Sequence, residues 1–445
     1  MPDLIVLGGG PAGYVAAEHA ARLGKSVVLV ERDRLGGTCL NRGCVPTKAY
    51  LHAAKLYHHA LNSQAFGVTV REAAFDYGRL KERTDKLKET LGGGIAGLLR
   101  KRRVELAAGE GEILDKNRVR VGDKVYEGDN LLIATGSAPA WPPIPGVRDN
   151  PAVVDSTGLL ELSRPAASLV VIGGGVIGTE FACFHSLLGI KAAIVEMLPR
   201  LCGNLDSELA QALQRKLESR GTEIHLDARV DRLEGGEVFF TDSQGRARSV
   251  AGERILLAAG RVPILGGFGL ENLNLDVGRE GIRVNDRAET SLPGVYAAGD
   301  VTGKFPLAHF ASRQGLVAVE NLSGKPAVCR ESAIPAVVYG DPEIATVGLT
   351  REGAEARGIF GRAVKMPLAA SGRFLAETEG ERGFVKAVLG RSDVLLGMQV
   401  IGPYASEMIG AAAVMIENEM RAGDIRELVF PHPTVAEILR DVMSG

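Results

Sequence analysis

The sequence has few cysteines, no excess of charge of either sign and no long apolar run. Its five cysteines are scattered over 445 residues, which excludes the disulfide framework of a small secreted protein. The 52 basic and 54 acidic residues give a net charge of −2 without a basic stripe, so we expect no nucleic-acid partner. No apolar stretch reaches the length of a transmembrane helix, so we expect no membrane partner. The composition is otherwise that of a globular protein of about three domains.

The first residues contain no recognisable targeting segment. Residues 3–7 already form a predicted strand, which leaves no room for a signal or transit peptide before it. We therefore expect the protein to lie in the cytoplasm, a reducing compartment. A disulfide in such a compartment is more often catalytic than structural.

Two cysteines five positions apart, Cys39 and Cys44, lie in a glycine-flanked stretch that we predict to be a turn. Pro46 follows, and proline suits the first turn of a helix because its missing N–H would be unpaired there. The partial positive charge of a helix N-terminus favours a thiolate, so this placement indicates a redox-active dithiol or disulfide. A zinc site would need a second ligand pair and an iron–sulfur site further cysteines before Cys183; neither is present, and we expect no metal. Two unreacted buried thiols are the alternative.

A dinucleotide-binding pattern opens the chain. The strand of residues 3–7 leads into a G-x-G-x-x-G turn, and an alanine-rich helix and a second strand ending at Glu31 follow. The glycines permit a tight turn and the close approach of a pyrophosphate to the helix N-terminus, and the acidic residue accepts a hydrogen bond from a ribose hydroxyl. The turn glycines are Gly8, Gly10 and Gly13.

The same pattern recurs later in the chain. Its second strand ends at Glu196, and the interval from the first turn glycine to the terminal glutamate is 23 positions in both copies. The turn glycines of the second copy are Gly173, Gly175 and Gly178. Because strand, helix, strand and acid all repeat, the pattern predicts two dinucleotide sites in one chain.

Each copy also has a later partner strand, which ends at Thr135-Gly136 in the first copy and at Gly260 in the second. Gly136 is 128 positions from its turn glycine and Gly260 is 87 positions from its own, so the first copy is longer by 41 residues. The extra length contains the two cysteines. This arrangement suggests that electrons pass between a dithiol and one dinucleotide, and then to the other.

After Pro326 the character of the sequence changes. Residues 336–339, 383–388 and 394–400 read as antiparallel strands, and two further helices are predicted near the end. This predicts a third domain of α+β type without a nucleotide motif.

Two polar motifs lie in the last third of the chain. A buried strand ends at Gly299-Asp300, where the aspartate can bond a polyol chain or cap the next helix. Near the end, two flanking prolines hold His432 in an extended segment, and Glu437 follows one helical turn later, where it can bond a ring nitrogen. A carboxylate-oriented imidazole is a suitable general base, and an exposed structural histidine is the alternative.

Together these motifs resemble the flavin disulfide reductases, and within that family the dihydrolipoamide dehydrogenases, over nearly the whole chain. The resemblance implies an α/β fold with two Rossmann-like dinucleotide-binding domains, one for FAD and one for NAD, and a C-terminal α+β dimerisation domain of a homodimer. The implied boundaries are 1–142 for the FAD-binding domain with the redox disulfide, 143–263 for the NAD-binding domain, 264–328 for the completion of the FAD-binding domain and 329–445 for the dimerisation domain.

The resemblance also implies roles for the reacting groups. Cys39 is the interchange thiol that meets the dithiol substrate, and Cys44 is the thiol nearest the flavin. His432 of the partner subunit takes the proton of the substrate thiol, and Glu437 orients that imidazole. The three other cysteines match no role in the family, and we expect them to be packed side chains.

Further positions take their expected roles from the same resemblance. Lys48 and Glu180 match the family's ion pair beside the flavin. His309 matches a stretch near the flavin and is given no catalytic part. The positions expected to bind the two cofactors are Gly8, Gly10, Gly13, Glu31, Thr38, Lys48, Thr135, Gly136, Asp300 and Ala308, together with Gly173, Gly175, Gly178, Glu196 and Gly260.

The implied reaction is the oxidation of dihydrolipoamide by NAD+, with lipoyl groups of 2-oxo acid dehydrogenase complexes as substrate. Glu196 favours NAD because a carboxylate repels a 2′-phosphate, which argues against a glutathione reductase that uses NADP. A mercuric reductase would carry a vicinal cysteine pair near the C-terminus, and none is present. A reductase of another small disulfide stays open, because Phe430-Pro431 replace the His-Ala that is usual in lipoamide enzymes. A flavin-bound redox sensor is the non-enzyme alternative, and the intact set of Cys39, Cys44, His432 and Glu437 argues against it.

Overall fold

The computed structural model describes residues 1–445 and divides into two compact units. Both units are discontinuous in sequence. The first unit consists of Met1–Thr47, Gly78–Ala140 and Gly260–Arg330, and the second consists of Lys48–Tyr77, Trp141–Ala259 and Glu331–Gly445.

A parallel five-stranded sheet forms the centre of the first unit. Its strands follow the order Val295–Ala297, Asn130–Ile133, Leu4–Leu7, Val27–Glu31 and Glu105–Ala108. The strand Leu4–Leu7 lies in the middle and is buried along its whole length. Parallel strands are apolar on both faces, which explains why this segment reads as an uninterrupted hydrophobic run.

Helices cover this sheet, and two of them cross closely. A Cβ atom on Gly315 would lie 2.5 Å from the carbonyl oxygen of Ala12, so only glycine permits the approach of the two helices. His19 Nε2 lies 2.6 Å from a carboxylate oxygen of Glu320 across the same crossing. The helices of the unit are Pro11–Arg22, Gly37–Arg42, Tyr77–Lys101, which begins at the last residue of a second-unit segment, and Ala308–Leu322.

Small antiparallel sheets complete the first unit. Gly111–Asp115, Arg118–Val121 and Lys124–Glu127 form a three-stranded sheet. Two pairs of short strands accompany it, Ser137–Pro139 with Arg261–Pro263 and Val277–Gly278 with Gly281–Ile282.

The second unit repeats the parallel sheet. Its strands follow the order Glu223–His225, Lys191–Val195, Ser168–Ile172, Arg254–Leu257 and Val153–Val154. A three-stranded antiparallel sheet lies between the strands Glu223–His225 and Arg254–Leu257 in sequence, formed by Arg229–Glu234, Glu237–Thr241 and Ala247–Ala251. The helices of this part are Cys44–Leu61, which begins in a first-unit segment, Ser156–Glu161, Val176–Leu187 and Ser207–Ser219.

A five-stranded antiparallel sheet forms the C-terminal part of the second unit. Its strands follow the order Ala336–Val338, Ile344–Gly348, Leu395–Ile401, Phe384–Gly390 and Phe360–Pro367. Its apolar side chains form one hydrophobic core with those of the accompanying helices. These helices are Arg351–Ala356, Gly372–Glu377, Ala405–Glu417, Ala422–Arg426 and Ile438–Asp441.

The architecture confirms the predicted fold class, two dinucleotide-binding folds and an α+β C-terminal part. Two details differ. The predicted turn around the cysteines is a short helix, Gly37–Arg42, and the next helix begins at Cys44 rather than at Pro46. The strands Ile344–Gly348 and Phe360–Pro367 lie in segments where we predicted none. Across the 445 residues, every helix is too short or too polar to be a candidate membrane span.

Candidate active site

The two cysteines lie on consecutive helices that meet at Gly43. Cys39 is half-buried in the helix Gly37–Arg42, and Cys44 is exposed as the first residue of Cys44–Leu61. A Cβ atom on Gly43 would lie 3.1 Å from the carbonyl oxygen of Thr38, so glycine permits the tight junction of the two helices. The prediction that Cys44 lies at a helix N-terminus is therefore confirmed, and the position favours a thiolate there.

The cysteine segment is attached to the first glycine turn. The N–H of Gly36 donates to the carbonyl oxygen of Gly9 at 2.8 Å. A Cβ atom on Gly37, at a φ of +58°, would lie 2.7 Å from Gly10 Cα, so two glycine backbones pass in direct contact. The unit thus places the start of the cysteine helix beside the turn that we predict to hold a pyrophosphate.

Glycine is required at the three positions of the first turn for different structural reasons. A Cβ atom on Gly8 would clash with the carbonyl oxygen of Ala134, and one on Gly13 would clash with the carbonyl oxygen of Gly8. These two glycines therefore permit packing between strand, turn and helix. A Cβ atom on Gly10 would meet only Gly37 Cα, at 3.8 Å, so the space above Gly10 is open to a ligand. A turn with an open backbone at a helix N-terminus fits a bound pyrophosphate.

Glu31 is oriented by two backbone N–H groups. Oε2 accepts from Gly9 N–H at 2.7 Å, and Oε1 accepts from Asp33 N–H at 2.8 Å. Burial raises the pKa of Glu31, and the N–H of Gly9 opposes that shift. The carboxylate is held at the end of its strand, where a ribose hydroxyl is expected.

The second glycine turn has the same geometry. Gly173 and Gly178 are packing glycines, whereas no atom lies within 4 Å of a Cβ on Gly175. Glu196 accepts from the N–H groups of Gly174 and Leu198, as Glu31 does from its own neighbours. The repeat seen in the sequence therefore extends to the hydrogen bonds, and both turns fit a dinucleotide.

The residues around the second turn favour an unphosphorylated ribose. Met197 is exposed beside Glu196. Arg200 is the nearby cation, and its Nε donates to the carbonyl oxygen of Gly203 at 3.2 Å. The carboxylate of Glu196 is thus the charged group at the end of this strand.

Asp300 lies in a small polar cluster that the sequence analysis missed. Ser137 Oγ donates to Asp300 Oδ2 at 2.5 Å, and Arg261 Nε donates to Ser137 Oγ at 2.8 Å. Asp300 is the first residue of the short helix Asp300–Thr302, whose N-cap is Gly299. Ser137 and Arg261 each directly follow a landmark glycine of the two copies, and that shared position was the signal available in the sequence.

The other positions predicted for the first cofactor lie in the same unit. Thr135 Oγ1 donates to the carbonyl oxygen of Ile264 at 3.2 Å. Thr38 is exposed in the first cysteine helix, and Ala308 is the first residue of the helix Ala308–Leu322. Gly136 and Gly260 both have positive φ, and a Cβ atom on either would meet no other atom within 4 Å, which leaves their backbone accessible.

The second unit contains the predicted ion pair. Lys48 Nζ donates to both oxygens of Glu180, at 2.8 and 3.1 Å, and the glutamate side chain is only 3% exposed. The N–H of Tyr339 donates to Glu180 Oε1 at 2.9 Å, and Lys48 Nζ lies 4.6 Å from the centre of the Tyr339 ring. The pair was predicted from the sequence, whereas Tyr339 was not.

The predicted imidazole–carboxylate pair is also formed. His432 Nδ1 lies 3.0 and 3.2 Å from the two oxygens of Glu437, whose Oε2 also accepts from Thr434 N–H at 2.9 Å. The Thr434 N–H, followed by His432, holds the pKa of Glu437 below its ordinary value. The side chain of His432 is 81% exposed, so its other ring nitrogen is accessible.

The two units divide the predicted site residues between them. The first contains both cysteines, the first glycine turn, Asp300, Ala308 and also Gly260. The second contains the Lys48–Glu180 pair, the second glycine turn and the His432–Glu437 pair. Three or more His, Cys, Asp or Glu side chains suitable for holding a metal ion do not come together anywhere in residues 1–445.

Two dinucleotide cradles, a cysteine pair at a helix start and an oriented imidazole define an oxidoreductase that moves electrons between thiols and a pyridine nucleotide. Comparison with known sequences agrees. The chain belongs to the pyridine nucleotide-disulphide oxidoreductase family, whose family model matches residues 2–315 and whose dimerisation domain matches residues 334–443. It is accordingly an enzyme that uses FAD and NAD(H), and it forms a homodimer.

Relatives with curated names cover nearly the whole chain. The dihydrolipoyl dehydrogenases of Geobacillus stearothermophilus and Bacillus subtilis are each 37% identical, over 98% of this chain and 94% of their own length. Dihydrolipoyl dehydrogenase 3 of Pseudomonas aeruginosa is 39% identical, over 98% of this chain and 96% of its own.

Solved structures show the same fold. LpdA of Mycobacterium tuberculosis is 28% identical with a TM-score of 0.91, covering 100% of this chain and 99% of its own. The HOCl-induced flavoprotein disulfide reductase RclA of Escherichia coli is 28% identical with a TM-score of 0.88, covering 99% of each chain.

Proposed function

We propose that this protein is a dihydrolipoyl dehydrogenase, which oxidises dihydrolipoamide to lipoamide with NAD+ through a Cys39–Cys44 disulfide and FAD. The observation that carries the proposal is the position of Cys44 at a helix start, directly after the helix Gly37–Arg42 that is attached to the first glycine turn. This position suits a sulfur that receives electrons from a substrate thiol and releases them toward a dinucleotide. The curated relatives named for this activity support the choice of substrate.

The chain's own groups suffice for the thiol chemistry. Because Nδ1–H of His432 donates to Glu437, Nε2 of the partner subunit's His432 is free to accept the proton of a substrate thiol. The resulting thiolate attacks Cys39, a mixed disulfide forms, and Cys44 leaves as a thiolate. The second substrate thiolate then displaces Cys39, which gives cyclic lipoamide and a reduced cysteine pair.

The electron pair then leaves through Cys44. The helix N-terminus at Cys44 stabilises the thiolate form from which transfer takes place. When bound, FAD supplies a two-electron carrier between this thiolate and NAD+. We assign the first glycine turn, Glu31, Thr38, Thr135, Gly136, Asp300 and Ala308 to FAD, and the second turn, Glu196 and Gly260 to NAD.

The remaining predictions are part of the same proposal. We assign the boundaries 1–142, 143–263, 264–328 and 329–445 to the FAD-binding, NAD-binding, completing and dimerisation domains. We infer lipoyl groups of 2-oxo acid dehydrogenase complexes as substrate, and a cytoplasmic location. The scattered cysteines and the catalytic use of one pair support that location.

A reductase of another small disulfide is the second candidate. Phe430 packs against the C-terminal hydrophobic core, next to the segment that carries the base. A histidine is usual at this position in lipoamide enzymes, so the surroundings of His432 differ in this chain.

A steady-state comparison tests the proposal. We expect turnover with dihydrolipoamide and NAD+, and little with oxidised glutathione and NADPH. Cys44→Ser should abolish the activity, whereas Cys329→Ser, the same change at a buried position, should retain it. If turnover occurred only with oxidised glutathione and NADPH, the second candidate would be established. A flavoprotein that is inactive in both assays would favour a redox sensor.

A further inference from the structure

The ammonium of Lys48 has two different neighbours in the second unit. On one side lie both oxygens of Glu180, at 2.8 and 3.1 Å. On another lies the face of Tyr339, with Nζ 4.6 Å from the ring centre. An ammonium at that distance is attracted by the negative face of an aromatic ring, and the ring also excludes water from that side.

Tyr339 contacts both members of the ion pair through different atoms. Its side chain faces Lys48, while its backbone N–H donates to Glu180 Oε1 at 2.9 Å. The backbone contact fixes the carboxylate regardless of the side chain present at position 339. A substitution of Tyr339 therefore changes the ring contact with Lys48 and keeps the backbone contact with Glu180.

The loop that follows Tyr339 is held in place by further contacts. The carboxylate and carbonyl oxygens of Asp341 accept from Arg220, and the N–H of Asp341 donates to Cys183 Sγ at 3.2 Å. Lys55, two helical turns after Lys48, donates to Glu343 at 3.2 Å. These tethers reach both the helix of Lys48 and the helix of Glu180, so the backbone that carries Tyr339 is held beside the ion pair.

We propose that Tyr339 is a positioning residue that fixes the Lys48 ammonium and thereby sets the positive charge that the flavin experiences. The inference rests on the proposed function, because the resemblance places the Lys48–Glu180 pair beside the flavin. Tyr339 itself touches neither substrate nor a reacting sulfur in this role. Its effect passes through Lys48, since a fixed, partly dehydrated ammonium stabilises a reduced flavin more than a mobile, hydrated one.

The test is the two-electron reduction potential of the flavin in an FAD-loaded dimer that also carries Cys39→Ser and Cys44→Ser, so that the flavin is its only two-electron acceptor. The potential is measured with a reductant and a reference dye and without any disulfide substrate. Tyr339→Leu should favour the oxidised flavin by about three- to tenfold, which is about 14 to 30 mV at 29.6 mV per decade. Tyr339→Phe keeps the ring and should leave the potential unchanged. If the leucine variant does not fold, Tyr339→Met removes the ring with a more adaptable side chain.

A double substitution shows whether the effect passes through Lys48. Lys48→Met should lower the potential, and adding Tyr339→Leu to it should produce no further shift. Three results would overturn the inference. The potential could shift equally with and without Lys48, it could shift as much in Tyr339→Phe as in Tyr339→Leu, or it could stay unchanged in Tyr339→Leu. Because no lipoyl substrate is used, a protein inactive toward dihydrolipoamide would refute the proposed function while this measurement still decides the role of Tyr339.

Discussion

At the level of single residues, the five cysteines have unequal surroundings. Cys183, Cys202 and Cys329 are buried, and burial raises the pKa of Cys183 to about 11 and that of Cys202 to about 12. Both thiols are therefore protonated near neutral pH and unreactive. The expectation that these three cysteines are packed side chains is confirmed, and the two at positions 39 and 44 are the accessible sulfurs.

The first prediction separates the roles of the two reactive sulfurs. Cys44→Ser should remove the long-wavelength thiolate-to-flavin absorbance band that appears on two-electron reduction, because the sulfur nearest the flavin is lost. Cys39→Ser should retain a band of this kind. Anaerobic titration followed by visible spectroscopy measures both, and a band that survives in Cys44→Ser would show that the roles are reversed.

The second prediction concerns the base. His432→Gln should slow the dithiol half-reaction by about 10² to 10⁴, the usual contribution of a general base, with flavin-to-nicotinamide transfer nearly unchanged. Glu437→Gln should have a smaller effect. The carboxylate now accepts from Thr434 N–H and from His432, and the single amide oxygen of glutamine can keep one of these two hydrogen bonds. Stopped-flow measurement of the two half-reactions separates these steps. Equal slowing of both would exclude His432 as the substrate base.

At the level of elements, the two strand–turn–helix segments use glycine for two purposes. Gly178 lacks room for a side chain, because a Cβ atom there would clash with the carbonyl oxygen of Gly173. Gly175 has open space above it. Packing and ligand approach are thus assigned to different glycines of one motif.

The third prediction uses this difference. Gly175→Ala should leave the melting temperature unchanged and raise the KM for NAD+ at least about tenfold, equivalent to about 1.4 kcal/mol of lost binding. Gly178→Ala should destabilise the fold by about 1 to 3 kcal/mol, as overpacking does. Calorimetry measures the stability of the two variants, and steady-state kinetics measures their KM for NAD+. A stable Gly175→Ala variant with normal nucleotide affinity would show that the second turn does not hold the pyrophosphate.

Two elements of the second unit are joined by a partly buried ionic cluster. Asp206 and Glu208, at the start of the helix Ser207–Ser219, both accept from Lys386 Nζ at 2.8 Å, and Glu208 also accepts from Lys365. Lys365, followed by Lys386, lowers the pKa of Glu208 to about 2. The cluster fastens the helix to two strands of the antiparallel sheet.

The fourth prediction is a pH dependence of stability. A carboxylate whose pKa is lower in the folded state stabilises the fold above its unfolded value, near 4.5, and this contribution is lost as the pH falls toward 2. Glu208→Gln should therefore lower stability at pH 7 and flatten the fall between pH 4.5 and 2. Urea unfolding across this range measures the effect, with Glu218→Gln on the same helix as the control. If the free energy of unfolding of wild type and of Glu208→Gln changed in parallel with pH, this prediction would be contradicted.

At the level of the whole molecule, the homodimer bears on an exposed apolar residue near the C-terminus. Val429, an apolar side chain three residues before His432, is 95% exposed in the single chain. We expect the partner subunit to cover this side chain in the homodimer. The family's dimerisation domain includes this segment.

The fifth prediction tests whether the base acts across the dimer. A heterodimer of one Cys44→Ser subunit and one His432→Gln subunit should have about half of the wild-type activity, because one of its two sites combines an intact cysteine pair with the partner's intact His432. Each mutant homodimer should be inactive. Co-expression with two affinity tags isolates the heterodimer. An inactive heterodimer would show that cysteines and base act within one subunit.

The sequence predicted best what depends on neighbours in the chain. The two glycine turns and their terminal glutamates are local patterns, and the structure reproduces both, including the shared hydrogen bonds of Glu31 and Glu196. The strand Phe360–Pro367 was missed because its side chains are only partly buried and its hydrophobic pattern is weak. The predicted cysteine turn is a short helix, Gly37–Arg42, whose N-cap Gly36 has a positive φ.

The sequence by itself therefore determined the two dinucleotide folds, the position of the reactive cysteines and the pairing of His432 with Glu437, since each is marked by a motif within one short segment. The contact of each turn with its terminal glutamate spans 22 positions, and the contact of His432 with Glu437 spans 5. Only the tertiary structure decided which groups surround Asp300 and Lys386, and that Tyr339 joins the Lys48–Glu180 pair. Their partners lie far away in the chain: Arg261 is 124 positions from Ser137, Tyr339 is 159 from Glu180, and Lys386 is 180 from Asp206. No sequence period encodes such separations, and packing of the folded sheets and helices brings these groups together.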